Sequence, residues 1–116
     1  MSDAAKRQDM PTGDGEVVLF RLTEYIDRVK AAKPEWYDMA ALARVQGDLT
    51  LRAEMGREKY GTYLRVNNGR NVRLDLYQEV MDALMYSEQL VMEGDRDCGR
   101  FLDQLLNMAQ FLVTRL

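Results

Sequence analysis

Five carboxylates in this chain are spaced for chemistry. Asp75, Glu79 and Asp82 recur at i, i+4 and i+7, so on a helix they share one face. Glu54 and Glu58 form a second i, i+4 pair earlier in the chain. Like charges at that spacing repel by roughly 0.2–0.5 kcal/mol per pair. The run from Leu74 to Asp95 nevertheless holds six acidic residues and no Lys or Arg. A basic residue from another element, or a cation, must settle the charge. The plainest explanation of one such row is a solvated helix face. Two acidic pairs on helices that face each other allow another: carboxylate oxygens holding a divalent metal.

What the chain lacks narrows the metal. It has no histidine and one cysteine, Cys98. Ser-His-Asp and Cys-His catalysis are therefore excluded, as is any His-ligated zinc site. Cys98 has no second cysteine to pair with inside the chain, so it reads as structural and points to a reducing cytoplasm. A metal held here must be held by oxygen, which selects Mg²⁺, Mn²⁺ or Ca²⁺.

Charge is segregated along the sequence. Arg52 to Arg73 carries Arg52, Arg57, Lys59, Arg65, Arg70 and Arg73 against only Glu54 and Glu58, and the acidic run follows at once. A basic segment beside an acidic, metal-holding groove suits a substrate with several phosphates, whose oxygens are divided between metal and Arg or Lys. The competing explanation, internal pairing with the acids, is natural for Arg52 and Arg73. It is less natural for Lys59, Arg65 and Arg70, which stand among Gly and Asn.

Helices must position these groups, because no segment shows sustained period-2 alternation. The spacing of Val18, Leu22, Tyr25, Ile26 and Val29 predicts a first helix over 16–32, with Asp14 as its N-cap and Pro34 as its break. A second helical region starts near Glu35, with Trp36, Met39, Ala40, Ala43 and Val45 on one side. It is expected to kink or break at Gly47-Asp48, resume near Leu49 and stop at Gly61. Residues 61–71 read as a structured loop. A third helix is expected over 72–93, its inner face Leu76, Val80, Ala83 or Leu84, Ser87 and Val91. A last one is expected over 98–114, capped by Asp97, its inner face Leu102, Leu105, Ala109, Leu112 and Val113. The methionines Met81, Met85 and Met92 read as flexible filler.

The sum is an all-α fold, an antiparallel bundle of four to five helices. Residues 1–14 read as a flexible lead-in and 15–116 as one domain. With 47% apolar residues the chain reads as globular, and a bundle this small with several apolar faces is expected to bury part of them in a dimer. A net charge of −3 argues against a dedicated nucleic-acid binder. No apolar run approaches the ~18 residues of a membrane span. The N-terminal residues lack the apolar stretch of a signal peptide, so a cytoplasmic protein is expected.

The block EMGREKYGTYLRVNNGRNVRLDLYQEVMDAL, residues 54–84, resembles the MazG-like all-α nucleoside triphosphate pyrophosphohydrolases, most closely the short phage-type members. It carries Lys-Tyr-Gly, Asn-Gly-Arg and then Glu79-Val80-Met81-Asp82 as ExxD, in that order. The likeness is close over about a quarter of the chain and loose over the rest. It implies Mg²⁺-dependent hydrolysis (Mn²⁺ as a substitute) of a nucleoside triphosphate to the monophosphate and pyrophosphate. It also implies a homodimer or dimer of dimers, and a bacterial or phage-infected host cytoplasm. The family's first motif is usually ExxE, whereas Glu54 and Glu58 are spaced ExxxE.

On this reading Glu54, Glu79 and Asp82 hold the metal, with Glu58 and Asp75 as further ligands and Glu58 as a candidate general base. Lys59 and Arg70 neutralise the leaving pyrophosphate. Tyr60, Asn68, Tyr86 and Trp36 are candidates for contacting base or sugar, although turn geometry and packing explain Asn68, Tyr86 and Trp36 as readily. The phage-like pattern favours a deoxynucleotide, with dGTP as first choice. Two other readings use the same residues: a non-enzymatic helical interaction protein whose acidic face meets a basic partner, and a nucleotide-binding sensor.

Overall fold

The computed structural model describes residues 8–116. It holds four α-helices, α1 (Val18–Ala32), α2 (Met39–Tyr60), α3 (Val72–Met92) and α4 (Arg100–Val113), with 3-10 turns at Pro34–Trp36 and Arg96–Gly99. Among the described residues there is no β-strand, in keeping with the all-α expectation. Residues 1–7 of the expected lead-in lie outside the description. The described residues form two compact units, Asp9–Arg70 in one and Gln8 with Asn71–Leu116 in the other.

In the first unit α1 begins later than the sequence predicts, and Asp14 does not cap it. Val17 is the N-cap and offers no side-chain hydrogen bond. The cause lies upstream, where residues 12–18 run antiparallel to 64–68. Thr12 N donates to Asn68 O at 2.8 Å, Val66 N to Glu16 O at 2.9 Å and Val18 N to Leu64 O at 2.9 Å. Val17 and Arg65 form an isolated antiparallel bridge. Residues 9–14, expected to be flexible, thus belong to a bonded segment. Gly15 permits the approach: a Cβ there would stand 2.2 Å from Val66 O, which no side chain can occupy.

Proline then sets the next boundary. Lys33, ahead of Pro34, leaves the helical region at φ −140, as a residue before proline is pressed to do. Asp38 starts α2 by accepting from Ala41 N at 3.0 Å. Trp36 is therefore outside the helix, in the 3-10 turn, and not on a helical face with Met39. Helix α2 runs its 22 residues without the expected break at Gly47-Asp48. One mid-helix glycine costs only about 1 kcal/mol. On the turn just before it, Gln46 is held to α1 from both ends of its amide, by Lys30 Nζ at 3.0 Å and Asp27 Oδ1 at 3.1 Å. Gly61, at φ 77, takes the left-handed turn that ends α2, its N–H returning to Arg57 O.

In the second unit Asn71 caps α3 by accepting from Leu74 N at 3.1 Å. Gln8 reinforces this end: its Oε1 accepts from Asn71 N at 2.6 Å and its Nε2 donates to Asp75 Oδ1 at 2.9 Å. Helices α3 and α4 meet along Val80, Ala109 and Leu112, with Tyr77, Met81, Leu84 and Leu105 packed around them. Ser87 is buried, as its place on the inner face predicts, and Val91 is half-buried. Leu76 and Val113, expected inside, are 45% and 48% exposed. Each lies about 40° round its helix from a seam residue, Val80 and Ala109 respectively, which is enough to leave a two-helix contact. Asp97 does not cap α4. It belongs to the preceding 3-10 turn, and Gly99 at the cap position has no side chain to bond. No helix among the described residues is long and apolar enough to cross a membrane.

Leu112 is 6% exposed in the seam. Leu112→Ala should lower unfolding free energy by about 2–5 kcal/mol, read by urea denaturation. A loss below about 1 kcal/mol would show that this seam is not the core of its unit.

Candidate functional site

Glu54 is the most constrained of the acidic residues. It lies two turns before the end of α2, half-buried. Tyr63, in the loop after α2, donates its hydroxyl to Glu54 Oε1. Arg57 Nε donates to Glu54 Oε2 at 3.0 Å, and its guanidinium carbon lies 5.4 Å from the centroid of the Tyr63 ring. Both carboxylate oxygens are thus engaged. The hydrogen bond from Tyr63 and then the one from Arg57 hold the Glu54 carboxyl below the usual carboxylate range, against a smaller opposing effect of burial. The same bond raises the Tyr63 phenol, and Glu54 raises the Arg57 guanidinium. With 41% of the Glu54 side chain and 52% of Arg57 open to water, this pairing is screened and acts by fixing geometry more than by adding stability.

The other acids differ. Glu58 is exposed on α2, one turn past Glu54. Asp75, in the first turn of α3, takes the amide of Gln8. Its charge suits the positive end of the helix dipole. Glu79 and Asp82 stand exposed one turn apart on α3, and neither makes an ion pair or hydrogen bond with a described residue. Tyr86 continues that row and is 66% exposed. Glu54 and Glu58 belong to one compact unit and Asp75, Glu79 and Asp82 to the other. Among the described residues no three Asp, Glu or Cys side chains converge as a group fit to hold a metal ion. The oxygen chemistry of these carboxylates suits Mg²⁺, and Glu54 already has donors on both oxygens.

The basic candidates are also engaged. Arg70 Nη1 donates to Asp9 O at 2.7 Å. Arg65 Nη1 donates to Gly15 O at 2.9 Å and its Nε to Thr62 Oγ1 at 3.1 Å. Lys59 Nζ lies 5.1 Å from the ring centroid of Tyr60, the last residue of α2. Asn68 is only 7% exposed, and its Oδ1 accepts from Arg70 N at 3.1 Å, so the turn uses this side chain. Trp36 is 67% exposed, with Lys33 Nζ 3.9 Å from the centroid of its ring. It is therefore not the core anchor that packing would make of it.

Tyr63 is a residue that the sequence pattern did not single out for the site, while Arg57 and Arg65 entered only as part of the basic segment, and Arg65 proves to be bonded internally. The i, i+3 spacing of Glu54 and Arg57 was a usable signal. Nothing local announces Tyr63, because its approach depends on how the chain turns at Gly61. No protein-family model, curated protein or solved structure matches the chain.

The lowered Glu54 carboxyl supports the fold above its unfolded value, about 4.3, and that support is lost as pH falls through the folded value. The raised Tyr63 phenol works in the opposite sense: its support is present below about 10 and is lost as pH rises through its folded value. An NMR titration of the Glu54 carboxyl carbon should give a midpoint below the ordinary range in the wild type and a higher one in Tyr63→Phe. Equal midpoints would show that Tyr63 does not govern this carboxylate.

Proposed function

We propose that the chain hydrolyses a nucleoside triphosphate to the monophosphate and pyrophosphate with Mg²⁺, or Mn²⁺ in its place. The observation that carries this reading is the pair Glu79 and Asp82. They are exposed, one turn apart, and unpaired within a helix stretch that contains no basic residue. Such a row keeps a standing repulsion that a divalent cation would relieve. The order of Lys-Tyr-Gly, Asn-Gly-Arg and ExxD adds support by resemblance.

In this proposal Glu79 and Asp82 are the principal metal-holding residues, with Asp75 one turn earlier on α3 and Glu58 as a further candidate ligand. Glu54 joins only if it releases Tyr63 or Arg57. The cation, when bound, supplies charge neutralisation at the triphosphate. Glu58, exposed on α2, is the carboxylate proposed to take a proton from an attacking water. Lys59 and Arg70 meet phosphate oxygens, and Trp36 or Tyr86 offers an aromatic face to a base. The preference for a deoxynucleotide, dGTP first, and a bacterial or phage-infected host cytoplasm rest on the resemblance alone.

The partner surface belongs to the same proposal. Helix α2 has no buried residue in 22, and Leu51, Met55, Met85 and Met92 are 64%, 56%, 64% and 78% exposed. A second copy, or a dimer of dimers built as a helical bundle, would cover such rows. A second functional reading, a sensor or interaction protein, is favoured by one observation: Glu54 is fully engaged by Tyr63 and Arg57.

A panel of nucleoside and deoxynucleoside triphosphates with Mg²⁺ should yield monophosphate and pyrophosphate. Diphosphate and phosphate as products, or no turnover, would end the pyrophosphohydrolase reading. Glu79→Ala should lower turnover by more than about a hundredfold, beyond the 10–100-fold cost of changing an outer-shell partner, while circular dichroism stays unchanged. Light scattering should give two or four times the 13.4 kDa of one chain. A monomer at micromolar concentration would contradict the proposed assembly.

A further inference from the structure

The extended segment Asp9–Val17 does more than precede α1. It is bonded along the loop between α2 and α3 at both ends and in the middle. Asp9 O receives Arg70 Nη1, Asn68 O receives Thr12 N, Gly15 O receives Arg65 Nη1, and Glu16 O receives Val66 N. Arg65 is the hinge pin of this arrangement, since its Nε also donates to Thr62 Oγ1 at the start of the loop. Opposite it, Gly15 presents bare backbone to Val66 O, at a distance that excludes any Cβ. The two residues are complementary. One removes bulk so that the two segments can meet, and the other binds the carbonyl thus brought near.

We propose that Asp9–Val17 is a strap that positions the loop, and that Gly15 and Arg65 are positioning residues for Asn68 and Arg70. The inference rests on the pyrophosphohydrolase reading, in which Arg70 meets phosphate. Through Thr12 the strap fixes the carbonyl of Asn68, whose side chain in turn bonds the backbone N–H of Arg70. Through Asp9 it holds the Arg70 guanidinium itself. The strap therefore sets both the backbone and the side chain of the arginine. A substrate phosphate recruits Arg70 from a fixed place and does not wait for a wandering loop, which lowers the ordering cost of binding. Neither Gly15 nor Arg65 needs to touch substrate.

Gly15→Val is the direct test, Arg65→Met the second, and Gly47→Ala the control, because nothing lies within 4 Å of a Cβ at that α2 position. In the wild type, hydrogen exchange should show the Thr12, Val18 and Val66 amides protected. In both strap variants their exchange should quicken by about tenfold or more while α3 and α4 amides hold. With the nucleotide that the wild type hydrolyses best, KM should rise by about tenfold and kcat stay within about twofold, the mark of lost substrate binding. The control should change neither readout. If Gly15→Val does not fold, Arg65→Met decides by the same two measurements. Unchanged exchange in the folded variants overturns the strap. A fall in kcat with KM unchanged overturns the positioning role. A wild type that hydrolyses no nucleotide overturns the pyrophosphohydrolase reading and the substrate half of this inference with it, while the exchange pattern still judges the strap.

Discussion

The absence of one Cβ shapes the whole first unit. Because Gly15 can lie against the Val66 carbonyl, residues 12–18 bond along 64–68, and those before Val18 stay outside the helix. That pairing delays α1 to Val18 and leaves Asp14 without a helix to cap. It also gives the loop after α2 a fixed path, with Asn67 at φ 55 and Gly69 at φ 79 completing its turn. Main-chain groups that a free loop would offer to water are bonded instead. The positions of Arg65 and Arg70 follow from that path.

Two carboxylate arrangements coexist in the chain, and they have opposite consequences. Glu54 is satisfied: a phenol and a guanidinium take its two oxygens, and its proton affinity falls accordingly. Glu79 and Asp82 are exposed and have no bonding partner among the described residues. A satisfied carboxylate organises its neighbours, here the junction of α2 with its loop. An unsatisfied row is the one that gains from an added cation. The centre of the metal proposal therefore lies on α3, with Glu54 in a supporting place.

The helical periods of α3 and α4 were legible because apolar spacing and helix geometry carry the same information. Val80, Ser87, Ala109 and Leu112 are buried as their spacing predicts. The edges of the seam were not legible. Leu76 and Val113 have the right residue type and nearly the right angle, yet burial depends on which neighbour arrives. Gly47-Asp48 misled because a glycine signal is local, while helix continuity is summed over many residues and over the anchoring of Gln46 by α1. The strap was invisible for the reverse reason. Gly15 stands fifty positions from Arg65, and no short-range pattern encodes that meeting. Asp38, two residues after the Pro34–Trp36 turn, is of a residue type that favours the N-cap, and its place there is a local signal.

The apolar surface follows from the same economy of structure. Each unit is shorter than about 70 residues, a size at which one core rarely supplies more than 3–5 kcal/mol. The seam of the second unit is built on Val80, Ala109 and Leu112, and in the first unit Val17 and Ile26 are the buried apolar side chains. Such cores are thin for the conformational entropy they must offset. Meanwhile Leu51, Met55, Met85 and Met92 remain in water, three of the four being methionines. Methionine is flexible enough to repack against a surface of its own kind. A chain with thin cores and exposed, adaptable side chains gains most by covering them with a second copy. That ties the proposed assembly to stability as much as to catalysis.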